Sequence, residues 1–61
     1  MGKNTYQELR RRINMEIEIL KQKLEAMDMD QKKNPNDFGY VGNCCHILDR
    51  IEDINSFLER F

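Results

Sequence analysis

Cysteine, proline and glycine are scarce in this chain and tryptophan is absent: its 61 residues include two cysteines, one proline and three glycines. The cysteines, Cys44 and Cys45, are neighbours, so a bond between them would close a strained ring and join no distant segments. A fold held together by disulfides is therefore excluded. Because reduced thiols are typical of intracellular proteins, we expect a cytoplasmic location.

Long apolar runs and an excess of one charge are also missing. No apolar stretch approaches the length of a membrane span, so the sequence predicts no transmembrane helix and no secretory leader. The formal net charge is −1, because 10 basic side chains nearly balance 11 acidic ones. This balance does not favour a phosphate backbone as the main partner.

The length of the chain limits how much core it can build, and we take residues 1–61 as a single helical-hairpin domain. A domain of about 60 residues buries only about 60% of the surface that its unfolded chain exposes. Self-association often supplies the missing stability when no disulfide or metal is available. We expect a homo-oligomer, with no cofactor and no metal ion.

A first helix is predicted over about residues 5–33. Thr5 and Glu8 have the spacing of a capping box, in which the Thr5 hydroxyl accepts a hydrogen bond from the Glu8 amide. Lys32 and Lys33 suit the negative end of the helix dipole. Apolar residues recur at gaps of three or four and define one stripe: Tyr6, Leu9, Ile13, Ile17, Leu20, Leu24 and Met27.

A turn at about residues 34–36 and a second helix over about 37–60 are predicted next, with two alternatives for how this helix begins. In the first, Asn34 caps the helix and Pro35 occupies its first position. In the second, residues 34–42 form a loop and Asn43 is the cap. We favour a helix that begins near residue 36, because Tyr40 continues the apolar spacing of the segment that follows.

Two glycines stand near this start. Gly39 and Gly42 each disfavour a helix by about 1 kcal/mol relative to alanine. We expect these glycines to let a neighbouring backbone approach α2 closely.

The apolar spacing of the last third of the chain is its most informative pattern. Six residues follow one another at gaps of 3, 4, 3, 4 and 3, which is the spacing of a coiled-coil seam: Cys44, Ile47, Ile51, Ile54, Leu58 and Phe61. A seam on one side of a helix is stable only when another helix covers it. We therefore predict an all-α fold, an antiparallel helical hairpin that assembles into a homo-oligomeric helix bundle through this oligomer seam.

The segment around the two glycines is also the leading candidate for a ligand site. Aromatic rings stack on bases, glycines admit a ligand close to the backbone, and a helix N-terminus attracts anions. A nucleotide-like molecule could bind there, with arginines of another subunit neutralising its phosphates. The candidate residues are Phe38, Gly39, Tyr40, Gly42, Asn43, Arg10, Arg11 and Arg12.

Two other groups carry weaker signals. His46, Asp49 and Asp53 share a helix face beside Cys44 and Cys45, but closed metal sites usually draw on separated pairs of ligands. Arg10–Arg12 form the only basic run and fan around most of the helix, so at most two of them can contact one ligand.

The sequence favours a non-enzymatic, homo-oligomeric helical protein that acts as a protein-interaction or inhibitor module on a larger protein. The alternative is a small protein that sequesters an anionic, nucleotide-like molecule at subunit junctions. A nucleic-acid-binding regulator is the third hypothesis, and catalysis has no support. Short chains of this kind resemble accessory or virus-encoded proteins, a resemblance that implies no particular activity.

Overall fold

The computed structural model describes residues 5–61, which form two α-helices, α1 (Tyr6–Lys33) and α2 (Gly39–Leu58). No strand occurs within this range, which confirms the predicted all-α class. Residues 1–4, which the predicted domain includes, lie outside the described residues.

The start of α1 has the predicted cap. The Glu8 amide donates a hydrogen bond to Thr5 Oγ1 at 3.2 Å, and the Leu9 amide donates to the Thr5 carbonyl at 3.0 Å. Thr5 thus provides an acceptor for one of the amides that the first turn of a helix leaves without a partner. The helix then runs 28 residues without a glycine or proline.

The exposed side of α1 carries two short-range polar pairs. Arg10 Nη1 donates to Asn14 Oδ1 at 3.2 Å, and Lys21 Nζ lies 3.6 Å from Glu18 Oε2. Both pairs are exposed, so each contributes at most a few tenths of a kcal/mol, about the value of a pair one turn apart on a helix.

The connection is a turn centred on Pro35. The Asn34 amide donates to the Gln31 carbonyl at 3.1 Å, and the Asp37 amide donates to the Asn34 carbonyl at 3.0 Å. Pro35 therefore occupies the second position of a β-turn, where its fixed φ is favourable. Since no described residue has a positive φ, the turn is not of the type that needs one.

The start of α2 differs from both alternatives drawn from the sequence. The helix begins at Gly39, two residues later than the position near 37, and well before Asn43. Neither Asn34 nor Asn43 caps it. Instead, Asp37 Oδ1 accepts from the Gly39 amide at 2.9 Å, an Asx-type turn that reaches two residues ahead, and the Phe38 carbonyl accepts from the Val41 amide at 3.1 Å.

The end of α2 comes at Leu58 rather than near residue 60. The Arg60 amide donates to the Phe57 carbonyl at 3.3 Å and the Phe61 amide to the Leu58 carbonyl at 3.0 Å. These three-residue spacings tighten the last turn, as is common at the C-terminus of a helix, where the last carbonyls lack amide donors from a further turn.

The chain divides into two compact units, Met1–Asp30 and Gln31–Phe61. Within residues 5–61, no residue of either unit is buried. Six apolar or aromatic residues are half-buried, three in each unit: Leu20, Leu24, Met27, Tyr40, Ile47 and Ile51. Neither described helix has a segment long and apolar enough to cross a membrane.

Candidate interaction surface

The oligomer seam lies along one side of α2, because gaps of three and four residues return to the same face of a helix. Its middle is half-buried, at Ile47 and Ile51, whereas Cys44 is exposed. Its C-terminal half is open to solvent: Ile54 is 59% exposed, Leu58 54% and Phe61 90%. Large apolar side chains at this exposure, grouped on one face, are typical of an interaction site.

Three side chains at the C-terminal end of the seam form an exposed cluster. The rings of Phe57 and Phe61 meet edge to face, with centroids 5.6 Å apart and an angle of 67° between the ring planes. The Arg60 guanidinium carbon lies 5.9 Å from the centre of the Phe57 ring. These contacts place Phe61 next to Phe57, which borders the seam, although Phe61 lies beyond the helix.

Two further apolar residues border the seam, and the sequence reasoning did not assign them to it. Val41 is 60% exposed and Leu48 55%. Val41 follows Tyr40, which continues the spacing of the seam, and Leu48 follows Ile47 of the seam, so both widen the apolar face on one side. Their spacing of seven residues is the signal that could have identified them.

The stripe on α1 is more exposed in its N-terminal part than in its C-terminal part. Its first members are exposed, with Tyr6 at 77%, Leu9 at 40%, Ile13 at 49% and Ile17 at 45%, and the later ones are the half-buried residues of this helix. At about 100° per residue, Arg10 and Arg12 border the stripe on opposite sides, while Arg11 points away from it. All three arginines are exposed.

The predicted ligand residues of unit 2 lie in or beside the first turns of α2. Phe38, at the cap position, is 79% exposed, while Tyr40 is half-buried and Asn43 is exposed. Among the described residues, a Cβ at Gly42 would meet nothing within 4 Å. The other predicted ligand residues, Arg10–Arg12, belong to unit 1.

The N-terminal end of α2 already has a negative group of its own. The Asp37 carboxylate occupies the Gly39 amide, which would otherwise be available to an anion at this end of the helix. A Cβ on Gly39 would lie 3.1 Å from Asp37 Oδ1, so the carboxylate sits directly against the glycine. A phosphate would have to displace this carboxylate and overcome its charge.

The thiol, imidazole and carboxylate side chains are the remaining candidates for a metal site. Cys44 and Cys45 are free and exposed thiols. Within the described part of the chain, no three His, Cys, Asp or Glu side chains are placed to hold a metal ion together.

Comparison with protein-family models, with curated proteins and with solved structures finds no match to this chain. The two exposed apolar faces are therefore the features of this chain that bear most on its function.

Proposed function

We propose that this protein is a non-enzymatic, homo-oligomeric helical module that binds a larger protein, as an interaction or inhibitor module. Copies associate through the oligomer seam of α2, in a bundle of helical hairpins. The larger partner binds the N-terminal half of the α1 stripe, where Arg10 and Arg12 flank Leu9 and Ile13.

The observation that carries the proposal is the lack of any buried residue between residues 5 and 61. Helices in proteins owe most of their stability to packing of an apolar face, so a helix with no buried residue needs another helix or another molecule to cover that face. Fourteen large apolar side chains in this range are at least 38% exposed. Burying one such side chain fully contributes about 1.5–3 kcal/mol to stability. Covering even half of them would therefore stabilise helices that are only marginally stable when isolated.

The two cysteines support a reducing location for this module. Cys44 belongs to the seam and Cys45 is next to it, and both thiols are free. Oxidation would cross-link or modify the association surface itself, so we propose that the protein acts in the cytoplasm.

The second candidate is a module that sequesters a nucleotide-like anion at subunit junctions. It is favoured by the ring of Phe38, which is 79% exposed and available for stacking, and by the open space at Gly42. The Asp37 carboxylate opposes it, for the reason given above. A nucleic-acid regulator is the third candidate, and it would depend on Arg10–Arg12 alone.

Native mass spectrometry of the freshly purified protein, compared with its denatured mass, tests the first two candidates. The proposal predicts a whole-number multiple of the chain mass with no excess. A discrete additional mass of a few hundred daltons per site would establish the ligand-sequestering candidate instead. A nucleic-acid regulator would show binding to DNA or RNA that weakens steeply as salt increases.

The surface for the larger partner is tested by a matched pair of substitutions on α1. Ile13→Asp places a charge in the stripe, whereas Asn14→Asp adds the same charge one position away and keeps an acceptor for Arg10. We expect both variants to keep the native mass of the wild type, and only Ile13→Asp to lose the protein that co-purifies with it. Equal capture by all three would contradict this assignment.

A further inference from the structure

We infer that the oligomer seam of α2 is covered by the α2 seam of a second copy running in the opposite direction, with the two-fold axis between Ile51 and Ile54. This inference deepens the proposed function, on which it rests, by specifying the partner helix, its direction and its register.

The first argument is the symmetry of the seam. Its gaps of 3, 4, 3, 4 and 3 are the same in both directions, so a reversed copy superposes every seam position on another. In an antiparallel pair of helices related by a two-fold axis, facing residues have a constant sum of residue numbers. The facing pairs are then Cys44 with Phe61, Ile47 with Leu58, and Ile51 with Ile54, each occurring twice.

The second argument is the volume of the facing side chains. Reversed copies place the smallest seam residue, Cys44, opposite the largest, Phe61, while aliphatic residues of similar size meet in the other layers. Parallel copies in register would instead pair Cys44 with Cys44 and Phe61 with Phe61, which leaves a gap at one end and crowds the other. Interiors pack at nearly uniform density, so the reversed arrangement fits better.

The third argument is charge. The positions that border the seam are 41, 48 and 55 on one side and 43, 50 and 57 on the other, and Arg50 is the one charged residue among them. In the reversed pair Arg50 lies beside Phe57 of the second copy, where a guanidinium is attracted to the aromatic ring, and no like charges meet across the seam. Antiparallel helices also bring opposite ends of their dipoles together.

The area of such a contact reaches the size of a specific dimer interface at the upper end of its range. Six seam side chains from each copy, at roughly 60–120 Å² of apolar surface each, bury on the order of 700–1,400 Å². This range reaches the roughly 1,200 Å² at which stable interfaces begin, before the border residues Leu48, Arg50 and Phe57 are counted.

Disulfide formation between copies tests the direction. In a Cys45→Ser background, Phe61→Cys places two thiols that face each other only in the reversed pair. Within one chain these positions are 17 residues apart, or about 25 Å along a helix, which is too far for a bond. The Cys45→Ser variant alone is the control. Thiol–disulfide exchange is driven by a glutathione redox buffer, in which oxidised glutathione takes up the two electrons.

We expect the double variant to form a covalent dimer linked 44 to 61 and the control to remain uncross-linked. A 44–44 bond in the control, or a 61–61 bond in the double variant, would show parallel copies and overturn the inference while leaving self-association intact. No cross-link despite a multimeric native mass would show that another surface mediates assembly. A monomeric native mass of the wild type would overturn the proposed function as well.

A second variant keeps Phe61 in place, in case its loss weakens assembly. Cys44→Ser leaves Cys45, which is exposed, as the one thiol for a spin label. Reversed copies separate the two labels by about 22 Å along the helix axis, in addition to the distance between the helices, whereas parallel copies give no axial separation. A short distance between the labels would contradict the reversed pairing.

Discussion

Asp37 holds the first amide of α2: its Oδ1 accepts a hydrogen bond from the Gly39 amide at 2.9 Å. This bond fixes where the second helix begins, and it places a carboxylate where a ligand anion would otherwise bind. One side chain therefore contributes both to the fold and to the choice between the functional candidates.

Removal of this bond should destabilise α2. We expect Asp37→Ala to lower the free energy of unfolding by about 1 kcal/mol, the usual cost of losing a helix-end acceptor. For a chain of this size that corresponds to roughly 4–8 °C in melting temperature, measured by circular dichroism at fixed protein concentration. Asp37→Asn is the control, because its amide oxygen can accept the same bond. An unchanged melting temperature for Asp37→Ala would show that the bond does not stabilise the helix.

Gly42 offers a test of whether anything covers the side of α2 opposite the seam. Within residues 5–61 a Cβ there meets nothing within 4 Å, so Gly42→Ala should stabilise the helix by about 0.8–1 kcal/mol through propensity alone. Thermal unfolding is again the measurement. Gly39→Ala is the comparison, and we expect a smaller gain because the new Cβ would lie 3.1 Å from Asp37 Oδ1. Destabilisation by Gly42→Ala would indicate that another backbone packs against it in the assembly.

The sequence predicted α1 more closely than α2, for a physical reason. The Thr5–Glu8 cap and an unbroken stripe are both local patterns, and local hydrogen bonds decide the start of that helix. Between residues 34 and 43, by contrast, several residues can cap or turn the chain. Asp37, rather than Asn34 or Asn43, accepts the hydrogen bond at the start of α2 because of the backbone conformation of the Pro35 turn. The order of residue types along the sequence does not specify that conformation.

The apolar spacing of the sequence defines only part of the exposed apolar surface of α2. The seam is visible in the spacing, but a strict two-position repeat omits the bordering Val41 and Leu48. Spacing also does not show that the C-terminal half of the α2 seam and the N-terminal half of the α1 stripe are the more exposed halves, because exposure is a property of the three-dimensional structure.

Substitutions of Phe38 and Tyr40 distinguish a ligand-binding role of these aromatic residues from a structural one. Tyr40 is half-buried and continues the spacing of the seam, so Tyr40→Ala should lower the melting temperature by several degrees. Phe38 is 79% exposed, so Phe38→Ala should change the free energy of unfolding by less than about 0.5 kcal/mol. Both variants are compared with the wild type by thermal unfolding and native mass. If Phe38→Ala instead removed a bound small molecule that the wild type retains, the sequestering candidate would replace the interaction module.

Sedimentation equilibrium of three proteins shows whether the α2 seam holds copies of this chain together. Ile51→Asp places a charge in the middle of the seam, while Ser56→Asp adds the same charge on the outer side of the same helix. We predict a multimeric mass for the wild type and for Ser56→Asp, and a monomeric mass with loss of helical circular dichroism for Ile51→Asp. An Ile51→Asp protein that stays helical with the wild-type mass, or a wild type that is a stably folded monomer, would contradict the account.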